Sequence, residues 1–228
     1  YHIISFDFYH HGLSSSSVKG EFDIQFYLLQ VYAFIDKFNI QRAYIIGHGL
    51  GALIALYLSR QQPKLVRKII LISPKGFKEN DSCCNIWKRR SDPTYIKLCT
   101  QETSKSYETC QELWKSQLSS QDETIYYTEI LKHLTFQYKA CKGNSLGIAN
   151  TLYNISLYKQ DNHACLNEVT TYDIKILLII GQEDDEHQAN ILQSYFNHQL
   201  PCISIPKSAH FIPIKKIIPH ITTFLFTK

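Results

Sequence analysis

The sequence predicts an α/β protein with a mostly parallel, doubly wound sheet and a helical insertion. Three observations lead to this fold class. Short, uniformly apolar segments alternate with helix-length segments over residues 1–78. A more polar stretch, residues 79–168, then interrupts the alternation, which resumes over residues 169–228. Uniformly apolar strands that alternate with helices are typical of a parallel sheet covered by helices on both faces.

The first part of the core, residues 1–78, begins with a predicted strand at residues 2–7, followed by a turn-rich segment. Apolar side chains then recur at helical spacing, which predicts a helix over residues 22–38. A short strand at 44–46 leads into a mostly apolar helix that ends near Pro63. The remaining strand of this part is predicted at 66–72.

The insertion, residues 79–168, is rich in serine, glutamine, glutamate and lysine, and it contains no clear buried strand. Amphipathic helices are predicted at 107–118, 123–139 and 146–158. The second part of the core, residues 169–228, contains two predicted strands and two predicted helices. The strands are expected at 174–180 and 202–205, and the helices at 187–198 and 211–226.

The composition narrows the classes of function. Apolar residues make up 44% of the 228 residues, which indicates a globular protein rather than a disordered one. The net charge of +4 is mild, and we expect no nucleic-acid partner and no membrane span. The spacing of the cysteines matches no zinc pattern, so we expect no metal and no cofactor.

Six of the seven cysteines lie between residues 79 and 165. We interpret them as reduced structural thiols, which favours an intracellular compartment, cytosolic or organellar, over secretion. An even number in one segment is also compatible with a disulfide set in an oxidising compartment, and that alternative stays open.

The segment Gly47-His48-Gly49-Leu50-Gly51 lies between an apolar strand and an apolar helix. This is the context of a nucleophile elbow, whose usual form is G-x-S-x-G. The outer glycines, Gly47 and Gly51, are present and are expected to let the turn close tightly. The central position is Gly49, which has no hydroxyl that could attack a carbonyl.

With these features in order, the chain resembles the α/β-hydrolase superfamily, of the capped esterase/lipase-like type, over nearly its whole length. The resemblance makes residues 79–168 the cap, or lid. The motifs that carry it are Asp7-x-x-x-His11-Gly12-x-Ser14, the elbow 47–51, Gly181-Gln182-Glu183-Asp184 and Ser208-Ala209-His210-Phe211.

The resemblance also implies roles for individual residues. His210 corresponds to the catalytic histidine and Asp184 to the catalytic acid, with Asp185 as an alternative acid. Gly49 marks a degenerate nucleophile position, and His48 is expected to pack and hydrogen-bond. In such a family a histidine and an acid without the serine form a dyad that is vestigial or works alone as a base.

We therefore expect a catalytically inactive, hydrolase-like binding or structural subunit. The alternative is an active enzyme, either an esterase/lipase-like acyl hydrolase or a lyase-type enzyme that uses the dyad. Ser73 and Ser208 could in principle replace the nucleophile but are interpreted as turn residues. The family's strands before residues 2–7 and its oxyanion loop have no match here. We expect a further segment or a protein partner to complete the sheet, and a small apolar ligand to bind under the cap.

Overall fold

The computed structural model of the chain describes a set of residue ranges that covers most of the predicted core. These ranges are 2–15, 22–74, 76–77, 132, 159–182, 184, 200–208 and 212–227. The helices predicted at 107–118, 146–158 and 187–198 lie outside them. Within the helix predicted at 123–139 only Lys132 is described, and it is helical. The described residues belong to two compact units: one includes residues 2–15 and 22–30, and the other most of those from 31 onward.

The strands of the described part form one parallel sheet, which confirms the predicted fold class. In chain order they are β1 (Ala43–His48), β2 (Val66–Ile72), β3 (Lys175–Gly181) and β4 (Cys202–Ile205). Their order across the sheet is the same, β1-β2-β3-β4. The bounds of β2 and β4 are those predicted, and β1 extends beyond the predicted 44–46. All three pairings are parallel, so the carboxyl ends of the strands lie along one edge of the sheet.

The described helices include α1 (Ile24–Lys37), α2 (Leu50–Gln61), α3 (Lys159–Val169) and α4 (Ile214–Phe226). None of them is both long and apolar enough to cross a bilayer. α1, α2 and α4 agree with the predicted helices to within three residues at each end. α3 was not predicted as a helix. Its buried side chains include Asn162, whose polarity hides the apolar face that the pattern would otherwise show.

Different helices cover the two faces of the sheet. Helix α2 packs on β1 and β2 and against α3. Helix α4 packs on the other face through Ile217, which belongs to one apolar cluster with Ile70 and Ile72 of β2. Side chains of a strand alternate between the two faces, and burial of both faces accounts for the apolar run at residues 69–72 of β2.

One buried lysine connects the sheet to α4. Lys68, in β2, donates from Nζ to the carbonyl oxygens of Phe224 (2.8 Å), Leu225 (3.1 Å) and Thr227 (2.6 Å). These carbonyls lie at the C-terminal end of α4, where helices lack internal donors. Burial, together with the charge of Lys175 opposite it in β3, lowers the pKa of Lys68. The ammonium group therefore caps α4 by satisfying carbonyl groups at its C-terminal end.

The predicted strand at residues 2–7 is wrong. These residues form no strand, and among the described pairings β1 pairs only with β2. Ile3 is 86% exposed and Ile4 is also exposed. An apolar run becomes a strand only where a neighbour accepts its hydrogen bonds, and no described strand does so here.

Candidate functional site

The segment predicted as an elbow lies between a strand and a helix. Strand β1 ends at His48, Gly49 follows, and α2 begins at Leu50. The backbone of Gly49 has φ 56° and ψ −115°, a conformation that residues with a side chain rarely adopt. Gly49 is buried, whereas His48 and Leu50 are half-buried. The strand, the sharp turn and the helix are therefore all present, and glycine stands at the centre of the turn.

The two outer glycines of the elbow have different surroundings. A Cβ atom on Gly47 would lie 2.5 Å from the carbonyl carbon of Gly51 and 2.6 Å from the Cα of Ala52. These are backbone atoms of α2, which cannot move aside without moving the helix. A Cβ on Gly51 would meet nothing within 4 Å. Close approach of strand and helix therefore requires glycine at 47 and does not require it at 51.

Backbone hydrogen bonds join the residues that follow the strands. They are Gly49 N–H to Ile72 O (2.9 Å), Ser73 N–H to Ile179 O (2.9 Å) and Gln182 N–H to Ile205 O (3.0 Å). Each bond continues the pairing of two strands by one residue beyond the sheet. The segments that leave the carboxyl edge therefore start from fixed positions. This edge is where ligands bind in open α/β sheets.

Asp184 lies at this edge, three residues after β3 ends, and is only 3% exposed. Its backbone N–H donates to Gly181 O at 3.3 Å, which closes the turn. The structure thus brings the elbow and the predicted acid to the same edge, with β2 between their strands. His210 and Asp185 lie outside the described residues, so the predicted contact between His210 and Asp184 stays a prediction.

The two serines considered as substitutes for the nucleophile differ in their partners. Ser208 is buried, and its Oγ donates to Pro206 O (3.2 Å) and accepts from Lys216 Nζ (3.1 Å). Ser73 is also buried, but its Oγ has no hydrogen-bond partner. Ser73 has φ 41°, in the left-handed region. Ser73 lies in a bend directly after β2, and Ser208 follows the turn at residues 206–207. Sequence alone could not reveal the unsatisfied hydroxyl of Ser73.

The turn after residues 2–7 is organised by Asp7. The Oδ2 atom of Asp7 accepts from Leu13 N–H (3.0 Å), and Ser14 Oγ donates to Asp7 O (2.6 Å). Gly12 has φ 53°, and a Cβ there would overlap the Asp7 carboxylate. Gly12 and Ser14 therefore shape this turn.

His10, in the same turn, is fully buried, and neither ring nitrogen has a hydrogen-bond partner. Its ring packs edge-to-face on Phe22 at a centroid distance of 4.2 Å. Burial lowers the pKa of His10, and the neighbouring His11 lowers it further. Burial also lowers the pKa of His11, although Tyr9 O and Asp7 oppose that effect.

A buried asparagine holds the elbow helix, α2, against two other segments. Tyr57 of α2 donates from its hydroxyl to Asn162 Oδ1 of α3 (2.8 Å). Asn162 Nδ2 in turn donates to Gly76 O (2.9 Å), in the segment that follows β2 and Ser73. Asn162 thus joins α2, α3 and that segment. Sequence analysis missed this role, because an isolated asparagine gives no pattern.

Two cysteines are described: Cys165, a buried free thiol, and Cys202, which is half-buried. Burial raises the pKa of Cys165 to about 12, so its thiol is protonated at neutral pH. The other cysteines lie outside the described residues. Across the described ranges, no group of three or more metal-ligating side chains comes together.

The chain is similar to known proteins over most of its length. Residues 1–216 match the profile of the alpha/beta hydrolase fold family. A serine hydrolase-like protein of Danio rerio is 24% identical over 191 residues, covering 79% of this chain and 56% of that protein. A Mycoplasma pneumoniae protein whose name, esterase/lipase 3, is provisional is 24% identical over 220 residues, covering 87% of this chain and 66% of that protein. The chain thus spans less than two thirds of the length of these curated relatives.

Solved structures share the fold at low identity. A hydrolase from Pseudomonas aeruginosa superposes with a TM-score of 0.67 at 15% identity, covering 96% of this chain and 77% of that one. An esterase from Thermogutta terrifontis superposes with a TM-score of 0.59 at 13% identity, covering 90% of this chain and 71% of that one. These likenesses concern the fold alone.

Proposed function

Because the chain belongs to the alpha/beta hydrolase fold family, we propose that it is a catalytically silent member that serves as a binding or structural subunit. One observation carries the proposal. Gly49 has the sharp backbone conformation of an elbow, with φ 56° and ψ −115°, but lacks a side chain. An acyl-transfer enzyme of this family needs a hydroxyl at that point, because the histidine and the acid only activate and orient it.

The loss of rate expected without a nucleophile also supports a catalytically silent protein. Removing the nucleophile from a serine triad lowers the rate by several orders of magnitude and leaves only binding and oxyanion contacts. Ser208 cannot easily substitute, because its hydroxyl already interacts with Pro206 O and Lys216 Nζ. In this proposal Asp184 and His210 are the two members of the triad that remain.

The direct test exposes the purified chain to a fluorophosphonate probe and to short-chain p-nitrophenyl esters. We expect neither labelling nor turnover above the level of a His210→Ala variant, because both reactions need an activated hydroxyl. Labelling of the unmodified chain that His210→Ala abolishes would contradict the proposal.

A second test restores the hydroxyl. We expect the Gly49→Ser variant to gain fluorophosphonate labelling that a matched Gly49→Ala variant lacks. Both variants place a Cβ on the same strained backbone, so the pair isolates the hydroxyl from the strain. Equal labelling of both variants would mean that a different nucleophile reacts.

A binding or structural role needs a surface or a pocket. Among the described pairings β1 pairs only with β2, and in β1 the side chains of Tyr44 and Ile46 are 41% and 49% exposed. Exposed apolar side chains on an edge strand favour a protein contact over exposure to water. A partner protein or a further segment that adds a strand there would cover both. If so, an Ile46→Asp variant should lose the assembly that native mass spectrometry detects for the unmodified protein.

The alternative is an active enzyme that uses Asp184 and His210 as a general base without the serine. The observation that favours it is the burial of Asp184 on the segment after β3, where such an acid would be shielded from water. Esterase- or lyase-type turnover that survives in Gly49→Ala and is lost in Asp184→Asn would support this alternative.

A further inference from the structure

Positive side chains gather at the amino edge of the sheet, opposite the carboxyl edge that holds the elbow. They are Arg42, before β1, Lys64 and Arg67, before and within β2, and Lys175, the first residue of β3. All of these side chains are exposed. We call these four residues the basic edge. Because ligands of open α/β sheets bind at the carboxyl edge, the basic edge is separate from the candidate site.

The pairing of the strands places these charges side by side. A backbone hydrogen bond of 2.9 Å joins the residues that follow Arg42 and Lys64, so these two are neighbours on adjacent segments. The residue after Arg67, Lys68, pairs with Lys175. Neighbouring strands lie about 4.8 Å apart, which is less than the roughly 8–10 Å over which salt screens a charge. The charges of the basic edge therefore add to one positive potential.

An irregularity in the pairing of β1 and β2 sets Arg67 apart. The residues on either side of it, Val66 and Lys68, pair with consecutive residues of β1, so Arg67 itself has no partner in that strand. Arg67 is exposed, whereas both of its neighbours are buried. An extra residue of this kind changes the direction in which a side chain points. The irregularity thus leaves the positive side chain of Arg67 in solvent.

Fewer negative side chains lie at this end of the sheet. In the part of the chain that the structure describes, the carboxylates at this end are Asp36, Glu168 and Asp173. Glu168 accepts a hydrogen bond from the Tyr172 hydroxyl. Asp36 adjoins Lys37 in the last turn of α1. The surplus of positive charge attracts a partner of opposite charge.

Two exposed aromatic side chains adjoin the basic edge. Tyr44, two residues after Arg42, is 41% exposed, and Phe38, four residues before Arg42, is 47% exposed. Tyrosine and arginine are enriched among the residues that contribute most to protein–protein interfaces, and phenylalanine is also enriched in such interfaces. Exposed aromatic rings beside arginines are therefore typical of a surface that binds protein.

We propose that the basic edge binds an acidic segment of a partner protein, with carboxylates opposite Arg42 and Arg67. The arginines favour this partner, because a guanidinium donates two parallel hydrogen bonds to one carboxylate. Carboxylates three residues apart in an extended segment are about 10 Å apart, which matches the two strand spacings from β1 to β3. A flat anionic membrane is a poorer fit, because it would repel the exposed Asp173 beside Lys175. The inference rests on the binding role proposed above and names the chemistry of the partner.

The test measures the binding of rhodamine-labelled hexaglutamate by fluorescence anisotropy, with labelled hexaglutamine as the neutral isostere. Hexaglutamate is expected to bind at about 50 mM salt and to bind much more weakly at about 500 mM, because salt shortens the range of the attraction. Hexaglutamine is expected not to bind. The double variant Arg42→Gln/Arg67→Gln should bind hexaglutamate about tenfold more weakly, the loss expected for two exposed charge pairs.

The double variant Lys207→Gln/Lys215→Gln is the matched control. It removes the same number of positive charges from exposed side chains, one after β4 and one in the first turn of α4, away from the basic edge. It should bind hexaglutamate within about twofold of the unmodified protein, because salt screens charges at that distance. Should the arginine variant unfold, the double variant Lys64→Gln/Lys175→Gln, which changes two exposed lysines of the same edge, replaces it.

Three results would overturn the proposal. They are equal binding of the two peptides, equal losses in the arginine variant and its control, and binding to phosphatidylserine vesicles without binding to hexaglutamate. The last result would make anionic lipid the partner. These results are distinct from failure of the silent elbow, which fails if the fluorophosphonate probe labels the unmodified chain. The basic edge fails in peptide binding while labelling remains absent.

Discussion

The Tyr57 hydroxyl donates to Asn162 Oδ1 at 2.8 Å, and this buried contact ties the elbow helix to α3. Asn162 also donates to Gly76 O, beyond Ser73, so one side chain restrains both α2 and the segment that follows β2. We expect Tyr57→Phe to lower the free energy of unfolding by about 1–2 kcal/mol, because it leaves the Asn162 oxygen without a donor. Urea denaturation measures the change.

Tyr32→Phe is the matched control, because the Tyr32 hydroxyl bonds Gln61 Oε1 at an exposed position. That variant should change stability by less than about 0.5 kcal/mol. Equal losses in the two variants would show that the buried Tyr57–Asn162 hydrogen bond stabilises the fold no more than the exposed Tyr32–Gln61 bond does.

Gly47 and Gly51 allow a paired prediction on the elbow. Gly47→Ala should destabilise the protein by about 3 kcal/mol, because the new methyl group would overlap the backbone of α2. Gly51→Ala should be neutral or stabilising by up to about 1 kcal/mol, because the site is open and alanine favours a helix. Thermal and urea unfolding of both variants test the pair. A large loss in Gly51→Ala would contradict the unequal roles of the two glycines.

Lys68→Met tests the cap on α4. Methionine keeps the length and the apolar stem but loses the three donations to helix carbonyls, so we expect stability to fall by about 2 kcal/mol. The exposed Lys64→Met should change stability by less than about 0.5 kcal/mol, since surface substitutions of this kind are nearly neutral. If the two variants lose equal stability, the hydrogen bonds of Lys68 to α4 contribute no more than a positive charge on the surface does.

His10 predicts a dependence of stability on pH. Its pKa in the folded protein lies below the ordinary value of 6.5, because burial disfavours the charged ring. The unfolded chain then binds a proton more readily, so this contribution to stability is complete above pH 6.5 and is lost as the pH falls toward the lowered pKa. We expect urea unfolding to show lower stability at about pH 5 than at about pH 7.5.

A His10→Asn variant checks the assignment, because asparagine does not titrate and tolerates the left-handed backbone of φ 64°. Its stability should vary less with pH than that of the unmodified protein. Some dependence remains from His11, whose pKa is lowered as well. An unchanged pH dependence in His10→Asn would locate the effect elsewhere.

The hydrophobic pattern of the sequence was enough to predict the segments that are buried on both sides. The position of β2 follows from its run of apolar residues at 69–72, and the elbow from the spacing of Gly47, Gly49 and Gly51. The same reasoning failed at Ile3, because apolar character does not tell whether a neighbouring strand is there to pair. It also missed α3, whose inward face includes Asn162 rather than an apolar side chain.

The candidate site was predictable to a similar degree. Parallel strands bring their carboxyl ends to one edge, so the proximity of the elbow and the Asp184 segment follows from order along the chain. The unsatisfied hydroxyl of Ser73 and the pairing of Tyr57 with Asn162 did not follow. Both depend on which atoms meet across long separations in sequence, and no local spacing encodes that.

The row of backbone bonds beyond the strand ends has a consequence for motion. The amide protons of Gly49, Ser73 and Gln182 each lie on the carbonyl of a neighbouring strand. Deuterium can replace them only when adjacent strands separate, which in a cooperative sheet requires an opening close to global unfolding. The amides from which the candidate site is built should therefore be among the slowest in the protein to exchange with solvent.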